Sequence, residues 1–374
     1  MVSEIEIGRG KRGRRAYSFD DVAVVPSRRT RDPEDVSISW QIDAYHFDLP
    51  ILAAPMDSVV SPETAIALGR LGGLGVLDLE GLWTRYDDPS ARLAEIAGLE
   101  GEEATARMRE LYAAPVRPEL ITARLREIRD AGVTVAGALS PQRTQHHWKA
   151  VVDAGVDLFV IRGTTVSAEH VSSQAEPLNL KRFIYELDVP VIVGGAGTYT
   201  AALHLMRTGA AGVLVGFGGG STHRTRTALG IHAPSATAIA DVAAARRDYL
   251  DESGGRYVHV ISDGGTSVSG EVVKAVACGA DAVMLGAALA RAEEAPGAGY
   301  HWGSEAHHPE LPRGEKVHVG TVGTLEEVLV GPARTADGTT NMMGALRRAM
   351  ATTGYTELKE FQRVDVVVAP YGER

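Results

Sequence analysis

Three glycine-rich turns in the second half of the chain have the composition of a phosphate-binding site. They are GFGGGS at 216–221, SDGGTS at 262–267 and the turn at Gly286. Each follows a run of apolar residues, and the last two precede a helix-like stretch, so their backbone N–H groups and a helix N-terminus can converge on an anion. Glycine also lets the backbone approach a ligand closely. We expect a phosphate site there, the alternative being glycines that only close tight turns.

Two polar side chains adjoin these turns. Asp263 stands directly before Gly264 and Gly265, where its carboxylate can accept two hydrogen bonds from a ribose diol, although a helix N-cap is the simpler alternative. Ser221 can add a hydroxyl to the same phosphate, unless its loop is only a surface loop. Together they favour a nucleoside monophosphate as the ligand.

Eight short apolar runs predict the strands that must carry these turns. They lie at 50–54, 74–79, 133–139, 156–161, 189–194, 211–216, 256–262 and 281–286. Nearly continuous Val, Ile and Leu without alternation is typical of parallel strands covered on both faces, and amphipathic stretches separate the runs. We predict an α/β fold of the (β/α)8 (TIM) barrel type, with an open doubly wound sheet as the alternative. In such barrels the site lies at the carboxyl ends of the strands, and phosphate commonly binds after strands seven and eight.

Four glycines, which we call the seam glycines, lie where a helix-like stretch gives way to the next apolar run. Gly132, Gly155, Gly209 and Gly279 each end a helix-like stretch just before an apolar run. This is the position at which a helix commonly ends in a left-handed residue.

A single barrel domain is expected over 1–374, with two departures from the repeating unit. Residues 80–130 are charged and helix-forming, which predicts a helical insertion after strand two. Residues 292–340 are rich in Gly, Pro and His and predict a long, flap-like excursion after strand eight. Long excursions of this kind are usually active-site lids or oligomer contacts.

Composition excludes several classes of function. Among 374 residues, 38 Lys and Arg stand against 48 Asp and Glu, so the net charge of −10 argues against a nucleic-acid or membrane-surface partner. No run of 18 apolar residues occurs, and the first residues lack a signal-peptide pattern, so the cytoplasm is the expected compartment. The single cysteine, Cys278, excludes an internal disulfide. Scattered histidines without helical H-x-x-x-H spacing predict no metal site.

Seven segments together resemble the IMP dehydrogenase/GMP reductase family, in that family's order. They are YSFDDVAVVP (17–26), PILAAPMDSVV (50–60), GLGVLD (73–78), GFGGGS (216–221), ISDGGTSVSGEVVKA (261–275), CGADAVMLG (278–286) and ALRRAMATTGY (345–355). The resemblance implies a barrel that assembles as a homotetramer or higher oligomer, binds a purine nucleoside monophosphate (IMP or GMP) and uses NAD or NADP. The chain is similar to short relatives that lack the CBS module, whose place is taken here by 80–130.

The resemblance also implies a set of nucleotide-binding residues. Met56 would pack on the purine, Asp263 would hold the ribose hydroxyls, and the segment around Gly320 would lie near the base. The full set is Ala54, Met56, Gly220, Ser221, Asp263, Gly264, Gly265, Gly286, Ala287 and Gly320. Ala287 departs from the family, which often has Ser at this position.

The catalytic positions depart further from the family. His223 stands where the family has its nucleophilic cysteine, while Thr225 keeps a threonine typical of the reductases. Covalent attack on the purine requires a thiolate, so we predict that the covalent dehydrogenase or reductase cycle is lost. The residue nearest to the position of the reductase glutamate is Arg313.

The cofactor-binding positions are also changed. Arg162 and Gly163 replace an acidic end of strand four, and Ala196 replaces an asparagine of strand five. We nevertheless treat Arg162 and Gly163 as candidate cofactor contacts. Whether potassium binds on the strand-six loop stays open, because that loop differs from the family's.

Three alternatives remain beside a nucleotide-binding barrel without the covalent cycle. One is an active oxidoreductase in which His223 or Thr225 supports different chemistry, with Arg162 on a cofactor phosphate. Another is a flavin-binding barrel, because FMN barrels also place glycines after strands seven and eight. The last is a regulatory subunit that assembles with an active relative.

Overall fold

Eight parallel strands form a closed barrel in the computed structural model, which describes residues 4–173 and 176–369. The strands are β1 Ile51–Ala53, β2 Leu74–Asp78, β3 Ala136–Leu139, β4 Leu158–Arg162, β5 Val191–Ala196, β6 Gly212–Val215, β7 His259–Asp263 and β8 Ala282–Leu285. Strand β8 closes the ring by pairing with β1, where Val283 lies opposite Ile51. The predicted (β/α)8 barrel is therefore confirmed.

The strands lack alternation because both of their faces are buried. Every residue of β1, β3, β5, β6 and β8 is buried, since one face fills the barrel interior and the other packs against the surrounding helices. Three strands end in a charged residue. Asp78, Arg162 and Asp263 are the last residues of β2, β4 and β7, at the carboxyl end of the barrel.

Thirteen helices are found in the described residues. They are α1 Pro62–Arg70, α2 Ser90–Gly98, α3 Gly101–Tyr112, α4 Pro118–Asp130, α5 Pro141–Asp153, α6 Leu180–Glu186, α7 Tyr199–Arg207, α8 Thr225–Leu229, α9 Ser235–Glu252, α10 Ser269–Ala277, α11 Leu325–Leu329, α12 Met342–Thr353 and α13 Leu358–Phe361. The residues at the start of α1 explain why the helix begins there. The Ser61 hydroxyl accepts a hydrogen bond from the Thr64 N–H at 3.1 Å, and Pro62 takes the first helical position.

The four seam glycines adopt the left-handed conformation that the sequence predicts. Gly132, Gly155, Gly209 and Gly279 have φ values of 76°, 82°, 99° and 119°. They follow α4, α5, α7 and α10 and turn the chain into the next strand.

Between β2 and β3 the chain forms α2, α3 and α4, which we call the helical insertion. Helix α4 packs against α1 and α5, and its buried face includes Ile121, Leu125 and Ile128. Among the described residues, no helix is long and apolar enough to cross a membrane.

In the part of the chain that the structure describes, four short antiparallel strand pairs lie outside the barrel. They are Glu4–Gly8 with Lys11–Arg14, Val22–Val24 with Val366–Val368, Trp40–Ile42 with Tyr45–Phe47, and Tyr300–His301 with Val317–His318. The last pair belongs to the long segment after β8, which we call the excursion. This pair sets the segment from 301 to 315 against the carboxyl end of the barrel.

Candidate functional site

An ion pair between strand ends lies in the barrel mouth. The Arg162 Nε donates to the Asp263 Oδ2 at 3.1 Å, and only 16% and 9% of the two side chains remain exposed. The sequence predicts separate roles for these residues, with Arg162 near a cofactor and Asp263 on a ribose. The structure instead joins them, while Asp263 Oδ1 accepts no hydrogen bond from the described residues.

The charge of Arg162 is set by its acidic neighbours. Burial alone lowers the pKa of Arg162, but the negative charges of Asp263 and Glu305 outweigh burial and raise this pKa above its ordinary value. Arg162 therefore stays cationic in the mouth.

Glu305 is a site residue that the sequence analysis missed. It lies in the 3-10 turn Ser304–His307 of the excursion, is buried, and its Oε2 is 3.6 Å from the His223 Nδ1. Burial alone raises the pKa of Glu305, but the positive charges of His223 and Arg162 lower it below its ordinary value, so the carboxylate is ionised.

The sequence indicates the region in which this glutamate lies, but not the residue itself. The family comparison pointed to Arg313, whose backbone N–H donates to the Glu305 carbonyl at 2.9 Å. Arg313, the residue nearest to the position of the reductase glutamate, therefore lies beside Glu305 in space, although the two are eight residues apart along the chain.

His301 completes the polar cluster as a neutral group. Its Nδ1 lies 2.9 Å from the Ser58 hydroxyl, and the ring is 3% exposed. Burial, together with the positive charges of His223 and Arg162, lowers the pKa of His301 to about 3. A Cβ added at Gly286 would lie 3.1 Å from the His301 Nε2 and 3.5 Å from the Met56 sulfur, so a side chain there would crowd both residues.

Two of the three glycine turns touch each other. A Cβ built on Gly219 lies 3.7 Å from the Gly265 Cα, and one built on Gly264 lies 3.8 Å from the Gly220 nitrogen. The turn at Gly286 is instead packed against His301 and Met56, as described above. The amides after β6 and β7 can therefore share one ligand, whereas excursion residues cover the turn after β8.

The excursion enters the mouth between these turns. A Cβ at Gly303 would lie 2.7 Å from the Met56 Cε and 3.1 Å from the Glu305 Oε2. The remaining cavity among Arg162, the glycine loop, His223, Asp263 and Glu305 is about 20 Å³. This volume holds about one water molecule. In this arrangement the mouth has no room for a nucleotide.

Backbone hydrogen bonds hold the excursion against the strand-six loop. The Arg224 N–H donates to the Arg313 carbonyl at 2.6 Å, and the Glu315 N–H donates to the Thr222 carbonyl at 3.0 Å. An ion pair between the Arg224 and Glu315 side chains reinforces this clamp.

Several other predicted residues lie around the same mouth. Met56 and Ala54 are buried in the loop after β1, and the Ala54 N–H donates to the Leu285 carbonyl at 2.9 Å. Ala287 follows Gly286 and is half-buried, while Ser221 is exposed on the strand-six loop.

The remaining candidates have structural surroundings of their own. Gly163 donates its N–H to the Gly194 carbonyl at 2.9 Å, between β4 and β5. Thr225 begins α8 and is buried, and its hydroxyl has no partner among the described residues. Gly320 bonds to the Gly299 carbonyl at 3.0 Å and faces open space, so it is joined to the excursion and not to the glycine turns.

The lone thiol is remote from this mouth. Cys278 caps the end of α10, just before β8 begins, and so lies at the opposite end of the barrel. Burial raises the pKa of Cys278 to about 11, which leaves it protonated at neutral pH. A protonated thiol at that end of the barrel cannot act as a nucleophile in the mouth.

A buried hydrogen-bond network connects the helical insertion to the mouth. The Tyr112 hydroxyl donates to the Asp57 Oδ2 at 2.6 Å and accepts from the Trp302 Nε1 at 3.0 Å. The Leu82 N–H also donates to the Asp57 Oδ2, at 2.7 Å. Burial raises the pKa of Asp57 to about 6. Because Asp57 follows Met56, the insertion fixes the loop that bears the predicted purine contact.

Known proteins resemble this chain over nearly its whole length. Residues 16–308 match the sequence profile of the IMP dehydrogenase/GMP reductase domain. An uncharacterized oxidoreductase of Mycolicibacterium smegmatis is 54% identical, with 97% of this chain and 99% of that protein covered. The inosine-5'-monophosphate dehydrogenase of Methanocaldococcus jannaschii is 27% identical, with 96% and 94% covered. The crystal structure of an IMP dehydrogenase/GMP reductase-like protein from Corynebacterium glutamicum has a TM-score of 0.93 and 52% identity, with 98% of both chains covered.

Proposed function

Because the chain belongs to the IMP dehydrogenase/GMP reductase family of oxidoreductases, we propose that its barrel mouth binds a purine nucleoside monophosphate but does not run the family's covalent cycle. IMP and GMP are the ligands that we expect. The proposal concerns the mouth formed by the strand-six and strand-seven turns and by Asp263.

One observation carries this proposal: the contact between the glycine turns beside a carboxylate with a free oxygen. Gly219 and Gly265 bring two sets of backbone amides together at the carboxyl end of the barrel, where they can bind an anion. Asp263 ends the neighbouring strand, and its Oδ1 remains available to a ribose hydroxyl. Amides for a phosphate and an acceptor for a sugar thus lie side by side.

The absence of a thiol in the mouth supports the loss of the covalent step. By the family resemblance, His223 stands where the family has its nucleophilic cysteine, and the thiol of Cys278 lies at the other end of the barrel. The covalent step needs a group that is strongly nucleophilic and also leaves readily, which describes a thiolate.

The side chains of Arg162 and Ala196, at the ends of β4 and β5, offer no hydrogen-bond acceptor to a nicotinamide dinucleotide. The family uses NAD, whose ribose and carboxamide offer hydrogen-bond donors. Arg162 has donors only and is already paired with Asp263, and Ala196 is buried and apolar. A nicotinamide cofactor would therefore have to find its acceptors on other residues of the mouth.

Calorimetry of the full chain tests the proposal. Titration with IMP, GMP and XMP should give binding for at least one of them on the order of micromolar, and tighter than for its nucleoside. Asp263→Ala should weaken this binding by about 1 to 3 kcal/mol, because the ribose hydroxyls lose their acceptor. Asp130→Ala, at the exposed end of α4, is the matched control and should leave binding unchanged. Absence of binding for all three nucleotides would refute the proposal.

The pair of His223 and Glu305 favours a second function, an active oxidoreductase with altered acid–base chemistry. An ionised carboxylate 3.6 Å from an imidazole is an arrangement that can orient the ring and support proton transfer. Incubation with NAD or NADPH and each purine monophosphate, followed by the absorbance of the reduced nicotinamide, tests this function. Turnover that disappears in both His223→Ala and Glu305→Gln would favour it over the first.

Assembly as a homotetramer or higher oligomer, and residence in the cytoplasm, stay predictions from the sequence. Association with an active relative is a further prediction, which a pull-down from cells that co-express both chains would test. A flavin would be recognised by the colour of the purified protein.

A further inference from the structure

A second and much larger cavity lies between the helical insertion and the barrel. It has a volume of about 630 Å³, against about 20 Å³ for the cavity in the mouth. Residues 109–116 of the insertion form one side, and the start of α5 together with the excursion forms the other. A volume of this size falls in the range of sites for small molecules.

The polar lining of this cavity is cationic. Among the described residues, the lining includes three arginines and three histidines but no carboxylate: Arg85, Arg109, Arg143, His146, His147 and His307. In a chain with a net charge of −10, this concentration of positive charge is local and specific. It favours an anion over a neutral or cationic ligand.

Two of these three arginines are only weakly paired by the protein. Arg85 is the exception, because it lies near the buried carboxyls of Asp57 and Asp78, and its positive charge acts to lower the pKa of both. The Arg143 Nε lies 3.9 Å from the Glu80 Oε2, at the limit of an ion pair. The Arg109 Nε is buried and has no hydrogen-bond partner among the described residues. Unmatched donors of this kind are costly unless a ligand meets them.

The imidazoles of His147 and His307 contribute donors and a flat wall, not charge. Burial and the positive charge of Arg85 lower the pKa of His307 to about 4, and burial and Arg143 lower the pKa of His147. The His307 ring stacks on Tyr112 with ring centroids 3.8 Å apart and planes 8° apart. The Tyr112 hydroxyl is fixed by Asp57, so this wall is rigid.

We infer that this cavity binds a small molecule that carries two or more linked phosphates. Guanidinium groups match phosphate oxygens in geometry and charge, and a polyphosphate presents several anionic groups to several arginines at once. A single carboxylate would leave most of the arginines unmatched. The inference is independent of the nucleotide proposed for the mouth, because it rests on a different set of residues.

Calorimetry with inorganic triphosphate tests the inference on the full chain. At about 50 mM salt we expect binding on the order of micromolar, and weaker binding as salt rises, because the contacts are ionic. Arg109→Gln should weaken this binding at least about tenfold. Arg107→Gln is the matched control, since Arg107 lies on the same helix but pairs with Glu95 and Glu110 on the outer surface. The control should change binding less than about twofold.

Further titrations separate the possible outcomes. Arg143→Gln replaces an exposed arginine of the lining and repeats the test if Arg109→Gln fails to fold. Titration with ATP shows whether a nucleoside attached to the phosphates is accepted. Binding of IMP to Arg109→Gln should be unchanged, so the two proposals can fail separately. No binding of triphosphate, or an equal loss in Arg107→Gln and Arg109→Gln, would overturn the inference.

Discussion

Arg162 lies between two acidic side chains, Asp263 and Glu305, in the barrel mouth. Its positive charge balances their negative charges. It pairs with Asp263 and also stabilises the ionised form of Glu305. Removing one partner of a buried ion pair leaves an uncompensated charge in a poorly solvated place. The pair therefore contributes to the stability of the folded mouth.

Arg162→Met should destabilise the protein strongly. We expect a loss of about 3 to 5 kcal/mol in the free energy of unfolding, because two buried carboxylates lose their cation. Arg182→Met breaks the exposed Arg182–Glu186 pair of α6 and should cost under about 0.5 kcal/mol. Urea unfolding of both variants measures the contrast, and similar losses in the two would show that the mouth pair is not special.

Asp57→Asn should change how stability depends on pH. Burial raises the pKa of Asp57 from 3.8 to about 6, so the folded state binds the proton more tightly than the unfolded state. The resulting stability is fully present below 3.8 and is lost as pH rises through about 6. The amide of the variant cannot ionise, so the variant should gain on the order of 2 kcal/mol over the wild type between about pH 4 and pH 8.

Urea unfolding at both pH values measures this gain. Asp130→Asn replaces an exposed carboxylate and serves as the control, with no expected change in the pH dependence. If the free energy of unfolding depended on pH in the same way for the wild type and Asp57→Asn, this would contradict the buried, ionised state of Asp57 at neutral pH.

At the scale of elements, close packing of helix α1 on strand β2 requires a glycine. A Cβ on Gly75 would lie 2.5 Å from the Ala65 Cα and 2.6 Å from the Ala65 Cβ. Such distances force the helix and the strand apart, since the nearest atoms include backbone. This contact keeps α1 and the β1 loop that leads into it in place.

Gly75→Ala should therefore destabilise the barrel by about 1 to 3 kcal/mol through overpacking. Gly98→Ala is the matched control, because Gly98 ends α2 and a Cβ there would meet no atom within 4 Å. The control should be neutral or slightly stabilising, since alanine favours helix. Thermal or urea unfolding of the two variants tests this prediction. If Gly75→Ala left the free energy of unfolding unchanged, the packing argument would be refuted.

The excursion is tied to the helical insertion through Lys316. Its Nζ donates to the Ala97 carbonyl at 2.9 Å and lies 3.6 Å from the centroid of the Tyr300 ring, and the side chain is 2% exposed. The insertion thus helps to hold the segment that closes the mouth.

Lys316→Ala should loosen the excursion without unfolding the barrel. We expect faster limited proteolysis between 308 and 316, and stronger binding of purine monophosphates if the mouth then opens more easily. Lys181→Ala, an exposed lysine of α6, is the control. Unchanged proteolysis in Lys316→Ala would show that other contacts hold the excursion.

At the scale of the whole molecule, apolar side chains remain exposed outside the barrel. Ile7 of the first strand pair is 71% exposed, and Val368 of the last strand is 56% exposed. Exposed apolar side chains on short strand pairs are candidates for contact with another chain.

We expect the purified protein to form a homotetramer or a higher oligomer, as the family resemblance implies. Light scattering coupled to gel filtration should give a mass at least four times that of one chain. Ile7→Lys places a charge on an exposed apolar strand and should reduce the assembly if that strand is part of the contact. A monomer in the wild type would contradict the expectation.

Local patterns made much of the fold predictable. Eight apolar runs gave the eight strands to within a few residues, and four glycines marked helix ends, because burial on both faces and left-handed turns leave signals in neighbouring residues. The glycine turns and Asp263 were placed at strand ends for the same reason. Glu305 was missed, because the excursion that carries it has no periodicity to indicate where its side chains point.

The sequence by itself determined the barrel, the absence of a thiol at position 223 and the glycine turns at one rim. Only the tertiary structure decided that Arg162 pairs with Asp263, 101 residues away, and that Glu305 reaches His223. It alone created the cationic cavity between the insertion and the barrel. The physical reason is that strand formation and turns depend on near neighbours, whereas ion pairs and cavities depend on how distant segments pack.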